Sequence, residues 1–341
     1  MADADPTLNS LDLSTTYMGM RLSHPFMAGA SPLSANLDLV KRLEDAGTAA
    51  IVLHSLFEEQ ISEAMSGRIR GMSVGDDSRF SDRLAVFPPP STYPFTPHEH
   101  LEHLRRVKET VRVPVIASLN GTTAESWLRY ARLLQDAGAD ALEVNFYEVV
   151  SDITVPATAV ETQILGAVTD LKRDLRIPVA VKLSPFFTAF GNMASRLDQA
   201  GADALVMFNR FYQPDIDTRT MTASPTLELS RRSELLLRLR WIAILHGRVR
   251  PSLALTGGVE TWDDGIKAIL AGAHVVQMVS ALLRHGPSFL TTMTAKLREW
   301  MEWYRMPSVD VMRGRVSLEH APDPGDFERA NYIRTLHRWG R

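Results

Sequence analysis

Cysteine is absent from all 341 residues, which excludes disulfides, thiolate metal sites, iron–sulfur clusters and a cysteine nucleophile or acid/base. No apolar run reaches the roughly 18 residues that a membrane span needs. The opening MADADPTLNS carries acids where a signal peptide has a basic and then an apolar stretch, so a cytoplasmic location is expected. Clustered lysine and arginine are also missing. With a formal net charge of -3, neither nucleic acid nor an anionic membrane is expected as a partner. The one basic-rich stretch, Arg231 to Arg250, interleaves arginines with leucines like a solvated amphipathic helix. There is no Gly-x-Ser-x-Gly elbow, no P-loop and no Gly-x-Gly-x-x-Gly after a strand. His98, His100 and His103 share an expected helix but have no acidic neighbours, so they read as a surface face, and no metal centre is expected.

What is present is repetition. Asp45-Ala-Gly-Thr-Ala-Ala-Ile-Val52 recurs as Asp136-Ala-Gly-Ala-Asp-Ala-Leu-Glu143, as Gln199-Ala-Gly-Ala-Asp-Ala-Leu-Val206 and as Leu270-Ala-Gly-Ala-His-Val-Val-Gln277. Each copy reads as a helix end, a glycine just past it and a short apolar strand. Val113-Pro-Val-Ile-Ala-Ser-Leu119 and Ile177-Pro-Val-Ala-Val-Lys-Leu183 are strands opened by a proline whose missing N–H is harmless there. Runs this continuously apolar suit a parallel sheet buried on both faces. Eight strands are expected, near 25–29, 49–54, 114–119, 141–146, 178–183, 204–209, 252–256 and 274–279, with helices between them. Eight alternating strands predict an α/β fold, the (β/α)8 TIM barrel, with a doubly wound open sheet as the runner-up.

The length and the 45% hydrophobic, 23% charged composition suit one barrel domain over 1–341. Two insertions are expected over the active-site face, at 57–96 after the second strand and 210–250 after the sixth; Met72 to Pro97 has the Pro, Ser and Asp content of a lid. Leu13 to Leu22 predicts a hairpin plugging the barrel floor, and 323–341 a final C-terminal helix.

Polar residues at the ends of apolar strands need a reason, because inward polar groups cost free energy unless paired. Ser31, His54, Ser55, Ser118, Asn120, Asn145, Lys182, Asn209, Thr256, Gln277 and Ser280 are such residues. Lys182, inside an apolar strand, needs an anion or a cluster of acceptors. It reads as a cation over an electron-rich cofactor, as a Schiff-base lysine, or as the partner of a structural carboxylate. Gly257 and Gly258 after the seventh strand, with Ser280 after the eighth, match the barrel phosphate site, where backbone N–H groups and a helix N-terminus meet an anion.

Most of these residues lie in segments that resemble the dihydroorotate dehydrogenase family, and more closely its dihydroorotate dehydrogenase-like branch. The likeness runs through Pro25-Phe-Met-Ala-Gly-Ala-Ser31, Ser55-Leu-Phe-Glu-Glu-Gln60, Ala141-Leu-Glu-Val-Asn145, Val179-Ala-Val-Lys-Leu183, Phe208 to Asp217, Thr256-Gly-Gly-Val-Glu-Thr261 and Val279 to Pro287. It implies a flavoprotein that holds FMN. By that resemblance Gly29 and Ala30 run along the flavin, Ser55 and Asn120 contact it, and Asn145 and Lys182 hold the ring edge. Gly258, Val279 and Ser280 take the phosphate. From the residues themselves, Asn209 and Gly257 join this cofactor set.

Three departures stand out. The family's catalytic Cys or Ser falls on Glu148, its usual strand-two lysine is His54, and the asparagine loop that grips orotate is not recognisable in 57–96. The resemblance therefore implies an FMN-dependent oxidoreductase acting on CH–CH groups of a small, planar or enone-like, pyrimidine-like substrate rather than dihydroorotate. Glu148 and Lys182 are the candidate catalytic residues, and Tyr147 is the fallback for Glu148. A flavin dehydrogenase of this kind needs a protein base against the substrate. The alternatives are a class I aldolase-type lyase using Lys182 and a non-catalytic flavin-binding barrel. A small molecule is the expected partner, and a homodimer is the assembly expected if one forms.

Overall fold

The computed structural model describes residues 11–58, 60–61, 94–121, 124–210, 213–224, 228–323 and 327. The lid expected over Met72 to Pro97 and the C-terminal helix expected over 323–341 fall almost wholly outside the described residues.

The chain opens with a hairpin, β1 (Thr15–Tyr17) and β2 (Met20–Leu22), paired antiparallel around Met18 and Gly19 at φ 50° and 76°. Then follow β3 (Phe26–Ala28), α1 (Leu37–Asp45), β4 (Ile51–Val52) and β5 (Leu56–Phe57). Next come α2 (Pro97–Thr110), β6 (Val115–Gly121), α3 (Ala124–Asp136), β7 (Ala141–Phe146), α4 (Ala157–Asp174), β8 (Val179–Leu183), α5 (Phe190–Gln199) and β9 (Ala204–Met207). After the small β10 (Asp215–Asp217) and β11 (Thr222–Ser224) hairpin come α6 (Leu235–Leu245), β12 (Ser252–Thr256), α7 (Trp262–Ala271) and β13 (Val275–Met278). The described chain closes with α8 (Ser280–His285), α9 (Phe289–Trp303) and α10 (Val309–Met312).

Strands β3, β4 with β5, β6, β7, β8, β9, β12 and β13 are parallel neighbours. The sheet closes because β3 pairs with both β13 and β4, and β4 pairs with β6. This is the (β/α)8 barrel. All eight expected strands are present, close to their expected bounds. The second is broken at residues 53–55, so that β4 and β5 lie against different levels of β6. The four repeated glycines, Gly47, Gly138, Gly201 and Gly272, all have positive φ.

Within the stretch expected as a second insertion, Leu235–Leu245 is the helix that follows the sixth strand, packed on α7 and β12. Its arginines are not all solvated as expected. Arg238 is buried, and its guanidinium donates to Thr256 O at 2.5 Å and to Glu234 O at 2.7 Å.

Small residues at the start of the strands set the floor. Ala50, Ala141, Ala180, Ala204 and Ala254 cluster with Met27, Val52, Ile116, Val206 and Val275, and Tyr17, Met18 and Leu22 of the hairpin pack into the space the alanines leave. Tyr17 is fully buried. The second apolar cluster lies between the strands and the helices.

Candidate active site

Strand alternation puts Ala141, Glu143 and Asn145 on the inner face of β7. Register then sets Asn120 beside Asn145 and Asn145 beside Lys182. Lys182 is 7% exposed and its Nζ donates to Glu143 Oε1 at 3.3 Å. The fully buried Glu143 also accepts from Gln277 Nε2 at 2.7 Å through Oε2. Lys182 thus has the carboxylate partner that a buried ammonium requires. Asn209 Nδ2 donates to Asn145 Oδ1 at 2.6 Å, so the asparagines after the fourth and sixth strands join over the lysine strand between them. Lower down, Gln277 Oε1 and the Tyr17 hydroxyl are buried and make no hydrogen bond within 3.5 Å among the described residues, though Gln277 lies close enough to lower the phenol slightly. Burial first, and the Glu143 charge second, push the Tyr17 phenol well above its usual value.

After β12, Gly257 and Gly258 take φ 86° and 79°. The Gly258 N–H donates to Ser230 Oγ at 3.1 Å, while Ser230 N and Oγ both donate to Ser280 Oγ, at 3.0 and 2.8 Å. Backbone N–H and two hydroxyls therefore converge between the last two barrel loops, where the sequence suggested a phosphate site. The glycine requirement has another origin, however. A Cβ on Gly258 would lie 2.6 Å from Leu235 N, and one on Gly257 2.9 Å from the Arg238 guanidinium, so α6 beneath them dictates the glycines. Likewise a Cβ on Gly29 would meet Val279 Cγ2 at 2.8 Å, and the Gly29 N–H donates to Met278 O. Ala30 beside it is half-buried against the inner cluster. Ser230 was not singled out from the sequence. Its signal is a serine just before a leucine-rich helix, in a stretch read as insertion.

At the break in the second strand, Ser55 Oγ and Ser118 Oγ are 2.8 Å apart, and the His54 N–H donates to Ser34 Oγ at 2.7 Å. Here the expectation of a surface histidine face is corrected. Only His98 is exposed, whereas His100 and His103 are buried with Leu101, Leu104 and Val107 on the inner stripe of α2. The spacing 100, 103, 104, 107 is a core stripe, and it carries imidazoles. His103 Nε2 bonds Ser34 O at 2.7 Å, and His100 Nε2 bonds His54 O at 3.0 Å. Burial, with the neighbouring His100 and His103 charges, lowers His54 to about 3; burial also lowers His100 and His103.

Glu148 lies apart from the lysine cluster. It is half-buried on the wall of a cavity of about 530 Å³ beyond the ends of β7 and β8, with Phe146, Val149, Ile153, Phe186 and Phe187 as apolar walls. Lys182, Asn145 and Asn209 do not line this cavity. Among the described residues no three histidine, aspartate or glutamate side chains converge as a metal group, and no helix is long and apolar enough to cross a membrane.

Comparison with known proteins places this geometry in context. The chain is 26% identical to the NAD-dependent dihydropyrimidine dehydrogenase subunit PreA of Escherichia coli strain K12, over 94% of this chain and 80% of that protein. It is 26% identical to the catalytic subunit of dihydroorotate dehydrogenase B (NAD(+)) of Thermoplasma volcanium, over 89% and 98%. It is 22% identical to the chloroplastic dihydropyrimidine dehydrogenase (NADP(+)) of Arabidopsis thaliana, over 91% and 78%. Residues 97–301 match the family model described as dihydroorotate dehydrogenase, and the chain belongs to that family.

Proposed function

We propose that this protein is an FMN-dependent oxidoreductase acting on the CH–CH bond of a small planar ring, pyrimidine-like or enone-like, other than dihydroorotate. The observation that carries the reading is Lys182, buried at the upper level of the barrel with Asn145 and Asn209 joined across its strand and Asn120 in register beside them. A planar, electron-rich ring edge is what an ammonium and a row of amides recognise. The residues fit FMN. The Gly258 N–H and the Ser230 and Ser280 hydroxyls converge between the last two barrel loops, a donor set of the kind a phosphate takes. Asn120, Asn145, Lys182, Asn209 and Ser55 would hold the ring, with Gly29 and Ala30 alongside it and Val279 at the phosphate end.

Bound FMN supplies a two-electron acceptor. This chain's part is to orient the ring through the amides and to hold a cation at its edge. Glu148, at the family's acid/base position, moves the proton at its carboxylate oxygens. It stands among apolar side chains on the cavity wall, where a ring substrate could lie against it. The names of the relatives, which pair dihydroorotate with dihydropyrimidine oxidation, support a pyrimidine-like ring. The purified protein should be yellow and should release FMN by mass spectrometry. Under anaerobic conditions a dihydropyrimidine should bleach it faster than dihydroorotate does. A colourless protein refutes the cofactor, and rapid bleaching by dihydroorotate refutes the substrate preference.

A further inference from the structure

Glu143 is a buried charge that the function above leaves unused. It is fully buried at the register level of Ser118 and Ala180, below Asn145. Its Oε1 faces Lys182 Nζ at 3.3 Å, and its Oε2 accepts from Gln277 Nε2 at 2.7 Å. The 3.3 Å separation is longer than the roughly 2.7–2.9 Å of a tight charge-assisted bond, and it uses one of the three ammonium donors. A lysine stem has several rotatable bonds, so an anchored carboxylate fixes where its charge sits. Gln277 is the anchor: it reaches across from β13 and is itself buried.

We propose that Glu143, held by Gln277, is a positioning residue that fixes the Lys182 ammonium and offsets its charge. It thereby sets how strongly Lys182 stabilises a reduced, anionic flavin. The inference rests on the FMN reading above. In a medium of low effective dielectric, a carboxylate this close cancels much of the lysine's field at any third group. Nature here has a cation whose effect on the ring is deliberately partial, and the carboxylate decides the fraction.

The test is the flavin midpoint potential and the sulfite dissociation constant of the FMN-loaded protein, because both follow negative charge gained by the ring. Glu143→Gln keeps the shape and removes the charge. It should raise the potential and tighten sulfite binding on the order of tenfold. Glu143→Asp draws the carboxylate back by one methylene and should fall between wild type and Glu143→Gln, which also covers the case in which the amide variant fails to fold. A yellow wild type whose potential is unmoved, or lowered, in a folded Glu143 variant overturns the inference alone. A colourless wild type overturns the FMN reading, and the inference with it.

Discussion

Gly258 is a glycine because of what lies beneath it. Its φ is 79°, and a Cβ would press on the Leu235 backbone at 2.6 Å. Gly258→Ala is therefore expected to destabilise the protein even without cofactor, by roughly 1–3 kcal/mol in urea unfolding. If the apoprotein kept full stability and lost only its flavin, the anion itself would be the reason for the glycine. Lys182→Met keeps much of the apolar stem and removes the cation, so the flavin potential should fall while the barrel stays folded; an unchanged potential would remove Lys182 from the cofactor site. Glu148→Gln should leave flavin content intact and cut turnover of a ring substrate by about a hundredfold or more. Undiminished turnover would return Glu148 to the status of a cavity wall residue.

The hairpin β1–β2 acts as a unit because its side chains complete a floor that the strands leave open. Tyr17→Ala would empty the space above the ring of alanines and is expected to cost about 3 kcal/mol or more, read from denaturant midpoints. Tyr17→Phe removes a buried hydroxyl that makes no hydrogen bond within 3.5 Å among the described residues and has only a weak interaction with Gln277, so it should cost little. Elements of this kind were legible in the sequence to different degrees. The eight strands stood out because parallel strands buried on both faces are uninterrupted apolar runs. α6 was legible as a helix but not as one of the barrel's own, since its arginines suggested a solvated face within an insertion and nothing in the sequence marks Arg238 as turned inward. The second half of the second strand, Leu56–Phe57, was hidden behind the polar pair His54-Ser55. Candidate site residues stood out where a polar residue stood alone in an apolar strand, as with Lys182 and Asn145, or where paired glycines followed one, as with Gly257 and Gly258. Glu143 shows the same signal, in phase with Asn145 at a spacing of two. It becomes meaningful only once β7 is seen beside β8.

Across the whole molecule, buried and half-buried histidines govern the response to acid. His24, His54, His100, His103, His246 and His274 are all lowered from 6.5, first by burial, with His54 at about 3 and His274 at about 4. The unfolded chain therefore binds protons that the folded one refuses. Stability is full above about 6.5 and declines as pH falls towards those lowered values. The lowered carboxylates of Asp12, Glu44, Glu99 and Asp217 start to matter only near their ordinary 3.8 to 4.5, so loss of thermal stability between about pH 6.5 and 5 would be the histidines' own signature. A flat profile there would contradict it. The barrel's closure carries a different consequence. β6 and β7 are in register from Ile116 and Ala141 to Gly121 and Phe146, whereas β3 meets β4 at the single pair Ala28 and Ile51, and β4 is separated from β5 at residues 53–55. The ring of strands thus has a seam. When solvent deuterons are offered to the native protein, the amides of residues 26–28 and 51–57 should exchange well before those of 116–121 and 141–146, and the seam should be where the barrel first breathes.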